Sequence, residues 1–175
     1  MLEEINLVKR IKSGDHNAFK ELYNNNVTPL FMFMKQFSID NSKVEDWVQR
    51  AFIKAYENIN RFDGISLFKT WLFKIAINEM KMDLRKANTN KNISLDEVEI
   101  QAEMDDGNFQ WELVMKDWLM QLTETKRMVF ILYEIEGYSH AEISEMMNIK
   151  ESASRTILTR TKVWLRNKWN ETEKR

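Results

Sequence analysis

Apolar residues recur along this chain at the three- and four-residue spacing of amphipathic α-helices. No segment alternates apolar and polar residues over the length of a strand, and Gly and Pro number only 4 and 1 in 175 residues. The pattern therefore predicts an all-α protein. In the amino-terminal half it predicts helices near residues 3–12, 16–23, 30–37, 42–58 and 67–86, with a break between the second and third at Asn24–Asn26.

The periodicity fades after residue 88 and returns near Phe109. Residues 89–112 carry 1 cation and 7 anions and are rich in Asn, which is the composition of a flexible connector. Residues 1–88 and 113–175 are mildly basic by contrast, with net charges of +3 and +2. The sequence thus predicts two small helical domains, residues 1–88 and 109–175, joined by a flexible acidic linker at residues 89–108.

The carboxy-terminal domain carries the pattern of a helix-turn-helix. Ser139 and Glu142 have the spacing of a capping box, which opens a short helix to about Met147. After a tight turn, a long helix is predicted over residues 152–169, and such a second helix can lie in a DNA major groove.

The long helix has five cations and no acid between residues 152 and 168, which favours an anionic partner. The alternative is that this charge only complements the helix dipole. The capped short helix in front of it favours DNA. The residues assigned to duplex DNA are Ser152, Arg155, Thr156, Thr159, Arg160, Lys162 and Arg166, of which Arg155 and Thr156 are best placed for base edges.

The helix predicted over residues 67–86 is apolar around most of its circumference. Its one polar stripe, which extends just past the helix end, consists of Thr70, Lys74, Asn78, Lys81, Arg85 and Asn88. Aromatic residues lie beside that stripe, and flat rings next to positive charge suit single-stranded nucleic acid. The alternative is that the aromatics belong to the core and the stripe is only solvated. The residues assigned to single-stranded DNA are Arg61, Phe62, Phe68, Lys69, Thr70, Lys74, Asn78, Lys81 and Arg85.

Composition excludes several other functions. The chain has no Cys and only two His, far apart, so no thiolate metal site, histidine cluster or Ser-His triad is expected. We therefore assign no catalytic residue, metal, cofactor or small-molecule substrate. The amino terminus is too charged for a signal peptide, and no apolar run approaches the roughly 18 residues of a membrane span. A cytoplasmic protein without membrane insertion is expected.

A surface suited to single strands followed by a helix suited to a duplex is a combination found in one family. The chain resembles bacterial sigma factors of the sigma-70 family, in their extracytoplasmic-function (ECF) group. The family's region 2 is similar to NAFKELY (17–23), VEDWVQRAFIKAYENINRF (44–62) and FKTWLFKIAINEMKMDLRK (68–86). Its region 4 is similar to residues 122–166. The most specific segment contains Trp71, Leu72, Ile75, Ala76, Asn78 and Asp83.

The resemblance implies a non-catalytic subunit that binds core RNA polymerase, recognises minus-ten and minus-thirty-five promoter elements and supports promoter melting. A ridge of Asp46, Gln49, Arg50 and Phe52 would dock on the clamp helices of the polymerase's largest subunit. The loop Arg61–Thr70 would capture a flipped base, and the polar stripe would follow the strand. An anti-sigma factor is a further partner that the resemblance suggests.

Two residues of the predicted recognition helix depart from the family pattern. Ser154 stands where the family commonly has a buried Val, and Ile157 where it has an Arg. A long helix that is rotated, or that contacts different bases, is therefore expected. The rival hypothesis is a stand-alone helix-turn-helix regulator whose amino-terminal lobe binds a ligand or a protein. Such a lobe should offer a pocket, whereas a sigma factor requires Trp71, Lys74, Lys81 and Arg85 on an accessible face.

Overall fold

A computed structural model describes residues 2–90 and 107–173 of the chain. Every regular element in these ranges is helical, which confirms the predicted all-α fold. The chain divides into two compact units, residues 1–93 and 94–175. Most of the predicted acidic linker, residues 91–106, lies outside the described ranges.

The described part of unit 1 consists of four helices and one short turn. They are α1 (Leu2–Lys12), α2 (His16–Met34), α3 (Asn41–Glu57), a 3-10 turn at Ile59–Arg61, and α4 (Phe68–Asn90). The carboxylates of Asp15 and Asp40 cap α2 and α3. Each accepts hydrogen bonds from two amides of the first turn, at 3.0 and 3.3 Å. These caps satisfy amides that have no partner within the helix and so determine where α2 and α3 begin.

The predicted break at Asn24–Asn26 is wrong, because α2 runs through it without interruption. Asn26 is buried, and its side-chain amide donates to the carbonyl oxygen of Leu22 at 2.9 Å. The helix also tolerates Pro29 in its interior, although proline removes one backbone hydrogen bond. Burial of Leu22, Leu30 and Phe33 on one face supplies the tertiary packing that outweighs these local preferences.

The core of unit 1 lies between α2, α3 and α4, which pack against one another. Phe33 of α2 and Phe73 of α4 stack with ring centroids 4.4 Å apart. Trp47 of α3 is fully buried, and its indole Nε1 donates to Oδ2 of Asp83 on α4 at 3.1 Å. Aromatic burial and this hydrogen bond together fix α3 against α4.

The described part of unit 2 contains α5 (Gly107–Gln121), α6 (Glu124–Phe130), a π-helical turn at Ile131–Ile135, α7 (His140–Met147) and α8 (Glu151–Glu173). The predicted capping box is present. The Glu142 carboxylate accepts from the backbone amide of Ser139 at 2.8 Å, and the Ser139 hydroxyl accepts from the amide of Glu142 at 3.3 Å. Asn148 adopts a left-handed conformation, φ 54°, at the end of α7 and so makes the tight turn into α8.

None of the helices in the described part of the chain combines the length and apolarity that crossing a bilayer requires.

Candidate nucleic-acid interface

The helix-turn-helix of unit 2 presents one face of α8 to solvent. Its opposite face packs on α6 and α7 through Ser154, Leu158, Thr161 and Leu165, which are buried at helical spacing. All the side chains assigned to duplex DNA are exposed: Ser152, Arg155, Thr156, Thr159, Arg160, Lys162 and Arg166. An exposed cationic helix face of this kind can enter a major groove.

Acidic residues from outside the predicted cationic segment pair with two of its cations. Arg155 Nη2 lies 2.5 Å from Glu151 Oε1, one turn earlier on α8. Lys162 Nζ lies 2.6 Å from Glu134 Oε1, in the π-helical turn. Two carboxylates therefore neutralise part of the positive charge that residues 152–168 alone would give α8. A nucleic acid would have to compete with them.

The structure shows the surroundings of Ser154, one of the two residues that depart from the family pattern. Ser154 is 0% exposed, so it occupies a buried position, as the family's Val is expected to do. Its hydroxyl lies 2.9 Å from Nδ1 of His140, the first residue of α7, and the imidazole stacks on Tyr133 with centroids 4.4 Å apart. Burial and the nearby charge of Arg155 hold the pKa of His140 below its usual value, although Glu151 acts in the opposite sense. Sequence reasoning missed His140 because its partner lies 14 residues away.

The polar stripe of α4 is accessible in unit 1. Asn78 and Arg85 are exposed, and Thr70, Lys74 and Lys81 are half-buried. Arg61 is exposed at the end of the 3-10 turn. Lys69 lies with its ammonium 4.9 Å from the centroid of the Phe73 ring, so its stem covers the core.

The assignment of Phe62 and Phe68 to base stacking is wrong. These rings are only 3% and 1% exposed. They meet edge to face at 5.8 Å, and each contacts Trp71, at 5.3 and 5.7 Å. The three rings bury one another, because this removes more apolar surface from water than leaving them beside the stripe would. Trp71 is half-buried and keeps a face accessible to a ligand.

An open groove between α3 and α4 lies beside the stripe. It encloses about 300 Å³ and is lined by Lys54, Asn58, Arg61, Trp71, Ile75, Asn78, Glu79 and Met82. Glu79 is buried and forms an ion pair with Lys54 across the two helices. The groove thus combines one aromatic ring and two side-chain amides with a neutralised ion pair. Sequence reasoning missed Lys54, Asn58 and Glu79, since only the packing of α3 on α4 brings them together.

The ridge on α3 is exposed at Asp46 and Gln49 and half-buried at Arg50. Arg50 Nη2 lies 2.6 Å from Asp46 Oδ2 and 3.8 Å from Oδ1 of Asp83, the acceptor of the Trp47 indole. Phe52, the fourth predicted member, is buried instead. It follows the ridge on the side of α3 that faces α2, where its ring lies 4.6 Å from that of Tyr23.

An apolar groove adjoins this ridge. It encloses about 550 Å³ between α2 and α3 and is lined by Phe19, Tyr23, Gln49, Phe52, Ile53, Tyr56 and Glu57. Ile53 is 57% exposed there. Phe52 therefore forms part of the buried floor of the groove. The exposed apolar side chains around it also line the groove, and the sequence analysis did not assign them to polymerase binding.

Two family models match the chain. The model for sigma-70 region 2 matches residues 22–89, which include the ridge, the polar stripe, the groove between α3 and α4, and the lining of the apolar groove apart from Phe19. The model for sigma-70 region 4 matches residues 115–165, which include α7 and the first fifteen residues of α8.

Curated relatives match over nearly the whole length. The ECF RNA polymerase sigma-E factor of Haemophilus influenzae is 30% identical, over 93% of this chain and 93% of the relative. That of Escherichia coli K12 is 32% identical, over 93% of this chain and 92% of the relative.

Two solved structures share the fold. One is CnrH in complex with the cytosolic domain of CnrY, with a TM-score of 0.71, 24% identity, and coverage of 97% of this chain and 98% of that chain. The other is the sigma factor RpoE in complex with the anti-sigma factor NepR from Bartonella quintana, with a TM-score of 0.71 and 24% identity. The match to RpoE covers 85% of this chain and 94% of that chain.

Proposed function

The chain belongs to the sigma-70 family of RNA polymerase sigma factors, in its ECF group, and we propose that it directs core polymerase to promoters by recognising a minus-ten and a minus-thirty-five element. A sigma factor acts in transcription initiation and is not an enzyme. One observation carries the finer proposal. Unit 1 exposes a polar stripe beside a groove suited to an unstacked base, and unit 2 exposes a cationic helix suited to a duplex.

Unit 1 would hold the melted minus-ten strand. A base that leaves the stack needs a flat surface and polar groups that meet its edge. The groove between α3 and α4 offers the face of Trp71 and the amides of Asn58 and Asn78. Arg61, Lys74 and Arg85 would neutralise the phosphates on either side. Lys54 neutralises the buried Glu79, and Arg61 in the same lining leaves a positive charge that would suit a phosphate beside the base.

Unit 2 would recognise the minus-thirty-five element as duplex. Arg155 and Thr156 lie near the amino end of α8, the part of a recognition helix that contacts base edges. Arg160, Lys162 and Arg166 lie further along and would bind phosphate. Glu151 pairs with the Arg155 guanidinium in the free protein, so a bidentate contact with a base would displace this carboxylate.

Core polymerase would dock on the ridge of α3 and the apolar groove beside it. An exposed apolar groove with a polar rim suits the apolar face of a helix, which is what the clamp helices would present. Asp46, Gln49 and Arg50 would supply the polar rim. We also propose an anti-sigma factor as a partner. RpoE, which shares the fold, was solved with such a factor, and a partner covering this groove would block polymerase.

The test is run-off transcription with the purified chain, core polymerase and a promoter library. We expect the chain to bind core polymerase and to yield transcripts from a defined subset of promoters. Absence of core association at low salt would overturn the proposal. Association without promoter selection would reject the two recognition surfaces while leaving polymerase binding in place.

A further inference from the structure

The helix-turn-helix contains a buried polar contact that duplex binding does not itself use. His140 of α7 and Ser154 of α8 are 8% and 0% exposed, and their Nδ1 and Oγ atoms lie 2.9 Å apart. Two apolar side chains could fill the same space without giving up hydrogen bonds to water. A hydroxyl and an imidazole give up such bonds when they are buried, and the hydrogen bond between them offsets the free-energy cost. A hydrogen bond differs from apolar packing in that it fixes both distance and direction.

The contact lies directly under the predicted base-recognising residues. Ser154 immediately precedes Arg155, so any shift of Ser154 moves the Arg155 Cα with it. On the other side, the imidazole is held by the stacked ring of Tyr133 in the π-helical turn. The contact therefore ties α8 both to the first residue of α7 and to the element before it.

We propose that the His140–Ser154 hydrogen bond positions α8 so that Arg155 and Thr156 reach base edges, and that a positive charge on the imidazole weakens this positioning. Both are positioning residues, since neither is placed to touch DNA. The inference rests on the proposed role of α8 in duplex recognition and names the interaction that tunes it.

The charges around His140 give this arrangement a pH signature. Arg155 and Glu151 face it from α8, the Tyr133 phenol from the π-helical turn, and Glu142 lies on its own helix. Protonation places a second positive charge in the buried contact beside Arg155, and the two cations repel. Since the pKa of His140 is lowered, the imidazole is neutral at neutral pH, and duplex recognition should weaken only when the pH falls through this lowered pKa, which lies below the usual value of about 6.5.

The experiment uses the full chain bound to core polymerase and a promoter selected in the run-off assay. The measured quantity is the ratio of affinities for that promoter and for the same fragment with a scrambled upstream element, at pH values from about 5.5 to 8. Ser154→Ala should lower the ratio by roughly 5- to 100-fold, which corresponds to the discrimination lost when one base contact is misplaced. Ser154→Thr keeps a hydroxyl and should restore most of it.

A doubly apolar variant separates positioning from folding. His140→Leu combined with Ser154→Val fills the same space without polar groups, so it should unfold no earlier than the wild type. We expect this variant to show a reduced ratio that no longer changes between pH 7 and pH 5.5. A wild-type ratio and pH profile in the double variant would overturn the positioning role. If the wild type itself fails to distinguish the two upstream elements, duplex recognition by α8 is rejected instead.

Discussion

The proposed docking of polymerase on the apolar groove between α2 and α3 predicts that binding is sensitive to one exposed side chain, Ile53. Its side chain is 57% exposed, so replacement by Ser removes less than half of the apolar surface that a fully buried Ile would bury and should lower the free energy of unfolding by only about 1 kcal/mol. Full burial of an Ile side chain is worth about 1.5–3 kcal/mol. Burying the exposed fraction in a docked complex is therefore worth about 1–2 kcal/mol.

Ile53→Ser should thus weaken binding to core polymerase by about 5- to 30-fold. The assay is competition between variant and wild-type chains for core polymerase at several salt concentrations. Because the lost contact is apolar, the fold-change should be nearly independent of salt.

Met32→Ser is the matched control. Met32 is 59% exposed on α2 and does not line the groove, so its replacement removes a similar exposed apolar surface elsewhere. Equal affinity of the Ile53 variant and the wild type, or an equal loss in both variants, would refute the assignment of the groove to polymerase.

Further predictions concern the two DNA surfaces and the pH dependence. Trp71→Ala should weaken holoenzyme binding to a single-stranded minus-ten oligonucleotide by about 1–3 kcal/mol and leave selection of the upstream element intact, as a fluorescence titration can check. Arg155→Ala should reduce discrimination at one base pair by about 1–3 kcal/mol. Arg166→Ala should weaken binding to all DNA sequences alike and reduce the slope of log K against log salt concentration by about 1. Binding isotherms at several salt concentrations can check both. Stability of α7 and α8 should fall as the pH drops below about 6.5, because a lowered pKa of His140 means that the unfolded chain binds that proton first. The lowered pKa of Glu142, caused by its hydrogen bonds to the helix cap, adds a second loss below about pH 4.5, and hydrogen exchange across the pH range would show both steps.

The features that the sequence predicted correctly arise from neighbouring residues. The capping box needs only Ser139 and Glu142, three residues apart, and the predicted tight turn follows α7 at Asn148, a residue type that tolerates the left-handed conformation found there. Helix periodicity likewise places the cations of α8 on its outer face, because burial of Leu158 and Leu165 follows from their spacing alone.

The features that the sequence did not predict depend on residues far apart in the chain. Asn26 favours a break locally, yet packing against α3 and α4 keeps α2 continuous. Phe62 and Phe68 resemble stacking residues until their contact with Trp71 is known. The Lys54–Glu79 pair joins two helices, and no spacing along one helix reveals it.

The contacts of Asp83 predict how its substitutions should behave in a genetic screen. It accepts a hydrogen bond from the Trp47 indole and lies beside Arg50 of the ridge, whereas the polar stripe lies across α4 on the opposite face. A single carboxylate thus supports the ridge proposed for polymerase and also fixes to α3 the helix that carries the stripe proposed for DNA. A screen that sorts alleles into polymerase-binding and DNA-binding classes should place substitutions of Asp83 in both, and suppressors should arise on either helix.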